Sequence, residues 1–308
     1  MAISTGGSAD AHASMRSIRH SAWLVTAGAV MISFAAVFVR LADVAATTSA
    51  FYRLAFGTLT LALIVLIRPR LGEGLRHGWI GSTIVALFFT ADLWLWHRSI
   101  LFIGPGLSTL LANFQVFVLA AIGVLWLREA FSLRFGGAIV LAMLGLWLLF
   151  GREWASLSGD YRLGIAFGLA TALAYSGYLL SLRGVQMPGT RLRPEGRLLQ
   201  VSLLSALMMA GLNLFEGHGF AIPDRGSLAA LVALGVICQV LGWLAISRGM
   251  PGLPASLIGL LLLLQPVLSM TWDVALFNLA LSLPQTVGAV LALVAIYLGL
   301  RVRSARPG

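Results

Sequence analysis

This chain of 308 residues contains no lysine, a single cysteine and few charges of either sign. Each scarcity closes a route. Without lysine there is no side-chain amine for a Schiff base. One cysteine cannot build a disulfide framework, and Cys238 lies inside an apolar run, where a thiol packs as a small hydrophobe. Charged residues make up 10% of the chain and hydrophobic ones 59%, well outside the balance of a soluble globular domain. The sequence has no phosphate-binding glycine loop, no His/Cys cluster at metal-ligand spacing and no nucleophile motif in a suitable context. No metal or cofactor is therefore expected, and an ATP-driven pump would need a nucleotide domain for which there is no room.

Apolar runs fill the chain instead. About ten of them, near 22–41, 47–67, 79–99, 106–127, 135–151, 163–182, 198–216, 227–247, 253–276 and 284–302, approach the roughly 20 residues a helix needs to cross hydrocarbon. They are continuously apolar rather than alternating, which disfavours a membrane β-barrel. The expected fold is an all-α membrane protein of ten transmembrane helices, with residues 1–20 as a disordered polar tail and 304–308 as a short C-terminal tail. Arg16, Arg19 and the first run imitate a signal peptide. That run is too long for the usual apolar core of one, and it is read as the first membrane helix.

All 21 basic residues are arginine, and only Arg53 falls within a run. With the N-terminus inside, Arg16, Arg19, Arg68, Arg70, Arg76, Arg128, Arg134, Arg183, Arg191, Arg193, Arg197, Arg248, Arg301, Arg303 and Arg306 fall on the inner side. Arg40, Arg98, Arg152, Arg162 and Arg225 fall outside. Fifteen against five is a positive-inside bias, placing both termini in the cytoplasm of a multi-pass inner-membrane protein. The formal charge of +10 is spread over membrane-flanking loops, so topology explains it better than nucleic-acid binding.

The two halves share features in the same order. Leu127-Arg128-Glu129-Ala130-Phe131-Ser132 is echoed 150 positions on by Phe277-Asn278-Leu279-Ala280-Leu281-Ser282, and Gln115 matches Gln265 at that offset. Gly137-Ala138 recurs as Gly288-Ala289; Pro105-Gly106-Leu107 recurs as Pro251-Gly252-Leu253, four residues out of register. The units are 21–152 and 153–303, with 183–197 as a cytoplasmic linker. Five spans per half is an odd number, so the second half enters the membrane from the opposite side. Many secondary transporters use that inverted repeat to build a site near the midplane.

Several motifs carry a family resemblance: Tyr52-Arg53-Leu54 early in the second helix, Leu127-Arg128-Glu129 ending the fourth, Gln265-Pro266-Val267 in the ninth, and Gly-Ala at the start of the fifth and tenth. Over roughly 22–302 the chain resembles the EamA group of the drug/metabolite transporter superfamily, and within it the YddG-type aromatic amino acid exporters. The resemblance implies a 5+5 helix carrier that moves amino acids outward. Two positions depart from the pattern: Val116 stands opposite Pro266, and Leu279 replaces a carboxylate after the ninth helix.

Ionisable groups inside a span cost about 2.5–3.5 kcal/mol each on insertion scales, so each needs a partner or a wet cavity. Arg53 and Asp92 lie at similar depth in the outer half of the bilayer and are expected to face the interior and pair. The pair either staples helices two and three or meets a substrate's carboxylate and ammonium. Trp96, four residues from Asp92, shares its face or belongs to an interfacial belt. His97 is expected to be exposed or hydrogen-bonded at the water boundary. Tyr175, Tyr178 and Ser181, spaced by three, offer rings with hydroxyl handles for an amphipathic solute, or packing alone. Gly164, Gly168 and Ala172 form a small-residue ridge for close helix contact. Asn113, Gln115, Gln239 and Gln265 offer uncharged donors and acceptors, for a zwitterion or for one another, and Trp243 shares the Gln239 face. Pro266 frees a carbonyl one turn earlier and can gate as a kink. Glu129 is a candidate gating ion pair near the cytoplasmic face, and Asp273 is expected to be solvated.

The substrate-binding candidates are thus Arg53, Asp92, Trp96, Asn113, Gln115, Tyr175, Tyr178, Gln239, Trp243 and Gln265, with Pro266 and Glu129 for gating. The expected partners are an amino acid or small metabolite and membrane lipid, without nucleic acid; a monomer suffices, and the sequence leaves the oligomeric state open. Scarce titratable groups favour facilitated diffusion over proton antiport. The competing readings are the same machine with another cargo, a drug or a metabolite, and a polytopic membrane enzyme. The enzyme would need an acid/base or metal cluster that the sequence does not supply.

Overall fold

The computed structural model describes residues 6–125, 133–151, 154–185, 192–249, 253 and 261–304. Helix is the only regular structure among them. In chain order they form α1 (Gly6–Ser33), α2 (Ala35–Leu41), α3 (Ala46–Ile67), α4 (Trp79–Ile103), α5 (Pro105–Ala112), α6 (Gln115–Leu125), α7 (Leu133–Leu146), α8 (Gly159–Val185), α9 (Pro194–Phe215), α10 (Arg225–Ala233), α11 (Trp243–Gly249), α12 (Leu264–Phe277) and α13 (Leu283–Ser304). A short 3₁₀ turn covers Pro69–Gly72, and π-helical turns cover Trp147–Gly151 and Leu234–Gly242. Only helices and closed barrels satisfy every backbone donor within lipid, which is why unbroken apolar runs fold this way.

Among the described residues, six helical segments are long and apolar enough to cross a membrane: Ile18–Leu41, Ala46–Ile67, Trp79–Ile103, Gly159–Leu182, Pro194–Phe215 and Arg225–Gly249. Pro105–Leu119, Gly136–Gly151 and Leu283–Leu298 are shorter apolar helices. Helix α1 starts at Gly6, inside the segment expected to be a disordered tail. The linker is also shorter than expected: α9 begins at Pro194, and Arg197 is buried in it rather than exposed. The Arg197 guanidinium donates to Gly78 O (3.0 Å), Ser82 Oγ (2.8 Å) and Val185 O (3.3 Å), tying α9 to the start of α4 and the end of α8.

Helices of the first half lie mainly against helices of the second. α4 packs on α8, α3 on α9, α7 on α13, α5 on α12, and α1 on α11 and the Leu234–Gly242 turn. Small residues permit the closest crossings. A Cβ on Gly164 would lie 2.5 Å from Phe102 Cβ, and one on Gly168 2.7 Å from Leu111 Cδ1, so the expected ridge on α8 does meet α4 and α5. A Cβ on Gly288 would meet Gly145 O at 2.7 Å, and one on Gly145 would meet Gly288 O at 2.8 Å. There α7 and α13 touch backbone to backbone.

Two apolar runs are interrupted at matching places. Helix α5 ends at Ala112 and α6 resumes at Gln115, across a turn at Asn113 and Phe114. In the ninth run, Leu263 forms a turn immediately before α12. Asn113 and Leu263 are 150 residues apart, the offset that relates Gln115 to Gln265. Pro266 accounts for the second break, because it cannot donate to Leu262 O one turn back. The first break has no proline.

Candidate functional site

Both breaks open onto one cavity of about 110 Å³, lined by Ile32, Ser33, Arg53, Phe89, Asp92, Leu93, Trp96, Thr109, Ala112, Asn113, Gln115, Thr171, Tyr175, Trp243, Leu262 and Gln265. A single water needs roughly 10–15 Å³ on this scale, so several waters or a small solute fit. Eight of the ten sequence-derived binding candidates are in this wall: Arg53, Asp92, Trp96, Asn113, Gln115, Tyr175, Trp243 and Gln265.

Arg53 is held from behind. Its Nε donates to Gln239 Oε1 at 2.9 Å, and its guanidinium carbon lies 5.5 Å from the centre of the Trp96 ring. Gln239 in turn donates from Nε2 to Ser202 Oγ at 3.3 Å. The local packing explains this reach. A Cβ on Gly235 would lie 3.1 Å from Arg53 O and Gly57 N, so the π-helical turn presses against the α3 backbone and delivers Gln239 beside Arg53. Widened π turns often mark functional positions.

The expected ion pair between Arg53 and Asp92 is not formed. Asp92 is 8% exposed and makes no hydrogen bond or ion pair with any described residue; Gln239 and Trp96 occupy Arg53 instead. Two further polar groups lack partners among the described residues: the Gln115 carbonyl Oε1 and the Trp243 indole Nε1–H, both buried. Asn113 spends its amide on Thr109 O, one turn back (2.8 Å). An unpaired carboxylate, acceptor and N–H donor in one enclosure are groups a polar ligand would satisfy.

Other expectations change. Gln239 is fully buried behind the wall, a holder of Arg53 rather than a lining group. Tyr178 is 3% exposed and stacks on Phe89 (4.8 Å) and Tyr175 (5.8 Å), so of the tyrosine stripe only Tyr175 reaches the cavity. Trp96 lines the cavity wall. His97 is completely buried, with neither ring nitrogen hydrogen-bonded to a described residue. Pro266 is buried beside the break. Glu129 lies outside the described residues.

Asp273 is likewise not solvated; its side chain is fully buried. Oδ1 accepts from Arg40 Nη1 at 3.3 Å, and Oδ2 accepts the Gly106 backbone N–H at 2.9 Å, at the start of α5. The Arg40 guanidinium also lies over the Phe277 ring, 4.4 Å from its centre. Gly104, with φ of 86°, makes room for this contact: a Cβ there would meet Asp273 Oδ2 at 2.6 Å. Ends of α2, α4 and α12 thereby lock against the start of α5. Sequence reasoning missed this knot, since residues 233 positions apart gave no signal of contact.

A second network lies at Glu216, the residue after α9. Its carboxylate accepts from Thr47 Oγ1 (2.6 Å), Trp94 Nε1 (2.8 Å) and Arg98 Nη2 (2.6 Å). Burial pushes this carboxyl upward, but the three hydrogen bonds and the Arg98 charge outweigh it and hold it below its ordinary value of 4.5. Thr109, Thr171 and Ser33 are the other polar lining groups that sequence inspection passed over; hydroxyls in apolar runs commonly bond their own helix.

Comparison with known proteins places this geometry in context. Residues 162–301 match the EamA-like transporter family. Uncharacterized protein PA1977 of Pseudomonas aeruginosa is 31% identical over 265 residues, spanning 83% of this chain and 85% of that protein. A solved crystal structure shares the fold with a TM-score of 0.64 at 18% identity, over 93% of this chain and 99% of the other. Residues 162–301 thus carry a match to the EamA-like transporter family, which supports a place in the drug/metabolite transporter superfamily, and the apolar helices along the described residues are those of a multi-pass membrane protein.

Proposed function

We propose that this protein exports amino acids, aromatic and other neutral ones, across the inner membrane by alternating access through the central cavity. The observation that carries the reading is the pair of helix breaks 150 residues apart, both facing the same cavity. Discontinuous helices at a repeat interface are how secondary transporters build midplane sites. The proposed frame is ten spans in an inverted 5+5 repeat with both termini cytoplasmic.

The helix neighbours support that frame. Exchanging each helix of one half for its counterpart in the other leaves the main pairings between the halves unchanged. The contact of the first run with the eighth becomes that of the sixth with the third, and second–seventh, fourth–ninth and fifth–tenth map onto themselves. The arginine asymmetry supports the sidedness.

Amino acids as cargo follow from the resemblance to YddG-type exporters and fit the chemistry of the wall. In this reading Arg53 receives a carboxylate, Asp92 an ammonium, and Gln115, Gln265, Asn113 and the Trp243 N–H satisfy the remaining polar atoms. Trp96, Tyr175 and Phe89 supply apolar area for the side chain. Counterflow in liposomes tests it: vesicles preloaded with an unlabelled amino acid should take up the labelled one faster than empty vesicles, and Arg53→Ala should abolish the acceleration. If no standard amino acid exchanges, while another small metabolite does, the cargo assignment is wrong.

A further inference from the structure

We propose that Asp92 is a proton-binding site, and that one proton is exchanged there for the ammonium group of each amino acid carried. The inference rests on the reading of the cargo as an amine-bearing solute and adds an energy source to it.

The geometry leaves Asp92 with an unsolved charge. It is 8% exposed, within an apolar run, and no described residue gives it a hydrogen bond or an ion pair. The groups facing it are few. From α3 comes Arg53, already engaged by Gln239 and Trp96; from α8 come Tyr175 and Tyr178. On α4 itself, the ionisable side chains nearest in sequence are the buried imidazole of His97 and Arg98, and Arg98 is tied to Glu216. Helix α5 has no titratable residue. Arg40, near the end of α2, is held by Asp273, and Arg197, at the far end of α9, by Gly78 and Ser82.

A buried carboxylate without a counterion is costly as an anion, and a proton or a ligand cation removes that cost. In the cargo-free carrier the carboxyl holds a proton. When an ammonium group enters, it pairs with the Asp92 carboxylate and the O–H proton leaves to the solution on that side. On the opposite side the cargo departs and a proton from that solution returns to the carboxylate. No bond other than O–H breaks or forms, and each cycle moves one cargo one way and one proton the other.

Liposomes containing the purified protein, with equal labelled leucine on both sides, test the exchange. An imposed pH gradient should concentrate leucine on the acidic side, a proton ionophore should abolish the accumulation, and Asp92→Asn should lose it while Asp92→Glu retains it. If leucine counterflow occurs but leucine stays equally distributed whatever the pH gradient, the proposal fails while the transporter reading stands. A cargo-independent readout separates the two. At neutral pH the infrared difference between cargo-free wild type and Asp92→Asn should show a protonated carboxyl band in wild type. Its absence overturns the proposal whether or not leucine moves; its presence with no amino acid moving rejects the cargo and supports the proton site.

Discussion

Replacing Gln239 with leucine removes the acceptor of the Arg53 Nε–H while keeping the side chain close in volume. Hydrogen bonds to charged groups contribute about 1.5–3 kcal/mol. If Arg53 binds the cargo carboxylate, Gln239→Leu should weaken cargo affinity by about tenfold to a hundredfold, as a binding titration would read it, with folding retained. An unchanged affinity would show that the preset orientation of Arg53 is irrelevant to binding. Glu216 gives a prediction in pH. Its carboxyl is held below 4.5, so the stability it contributes is fully present above that value and is lost as pH falls through its lowered range. Acidification below about pH 4.5 should lower the wild-type thermal midpoint, whereas Glu216→Gln should start lower at neutral pH and fall less. At this scale the sequence was informative about identity and silent about direction. Arg53 and Asp92 stand out because charge inside an apolar run is conspicuous. Whether they touch depends on helix rotation, and rotation gave Arg53 to Gln239 and Trp96 instead. The same ignorance misplaced His97, Tyr178 and Asp273.

Among the helices, the crossing of α7 and α13 sets how closely the last helices of the two halves approach. Gly145 and Gly288 leave no space for a Cβ, because each would press on the other's carbonyl. Gly288→Ala should therefore destabilise the protein by about 1–3 kcal/mol, as overpacking does, and lower the thermal midpoint in detergent. Gly137→Ala is the matched control: nothing lies within 4 Å of a Cβ there, and alanine is the better helix former, so the midpoint should hold or rise. Equal losses at both positions would mean that helix propensity, not the crossing, is being measured. Apolar length made most helix positions readable to within a few residues, the early start of α1 at Gly6 apart. The break before α12 was readable too, from Pro266. The break at Asn113 and Phe114 was not, since Val116 stands where the other half has proline and no local residue demands a turn. The break 150 residues further on, before α12, is what draws attention to it.

For the molecule as a whole, the proposal is that one cavity opens in turn to each side of the membrane. The knot of Arg40, Asp273 and Gly106 ties α2, α5 and α12 together, and Asp273→Asn should weaken it by removing the charge that holds Arg40. The duplicated order of motifs suggested two halves from sequence alone, but a shared hollow is a property of their packing and had to be seen. Thiol accessibility tests it most directly. The chain's only cysteine, Cys238, is buried, so a Cys238→Ala background carrying Ala112→Cys places one reactive thiol in the cavity wall. A membrane-impermeant thiol reagent should label it in right-side-out and in inverted vesicles alike, with Asp273→Asn increasing labelling from the knotted end. Labelling from one side only, with or without Asp273→Asn, would contradict alternating access.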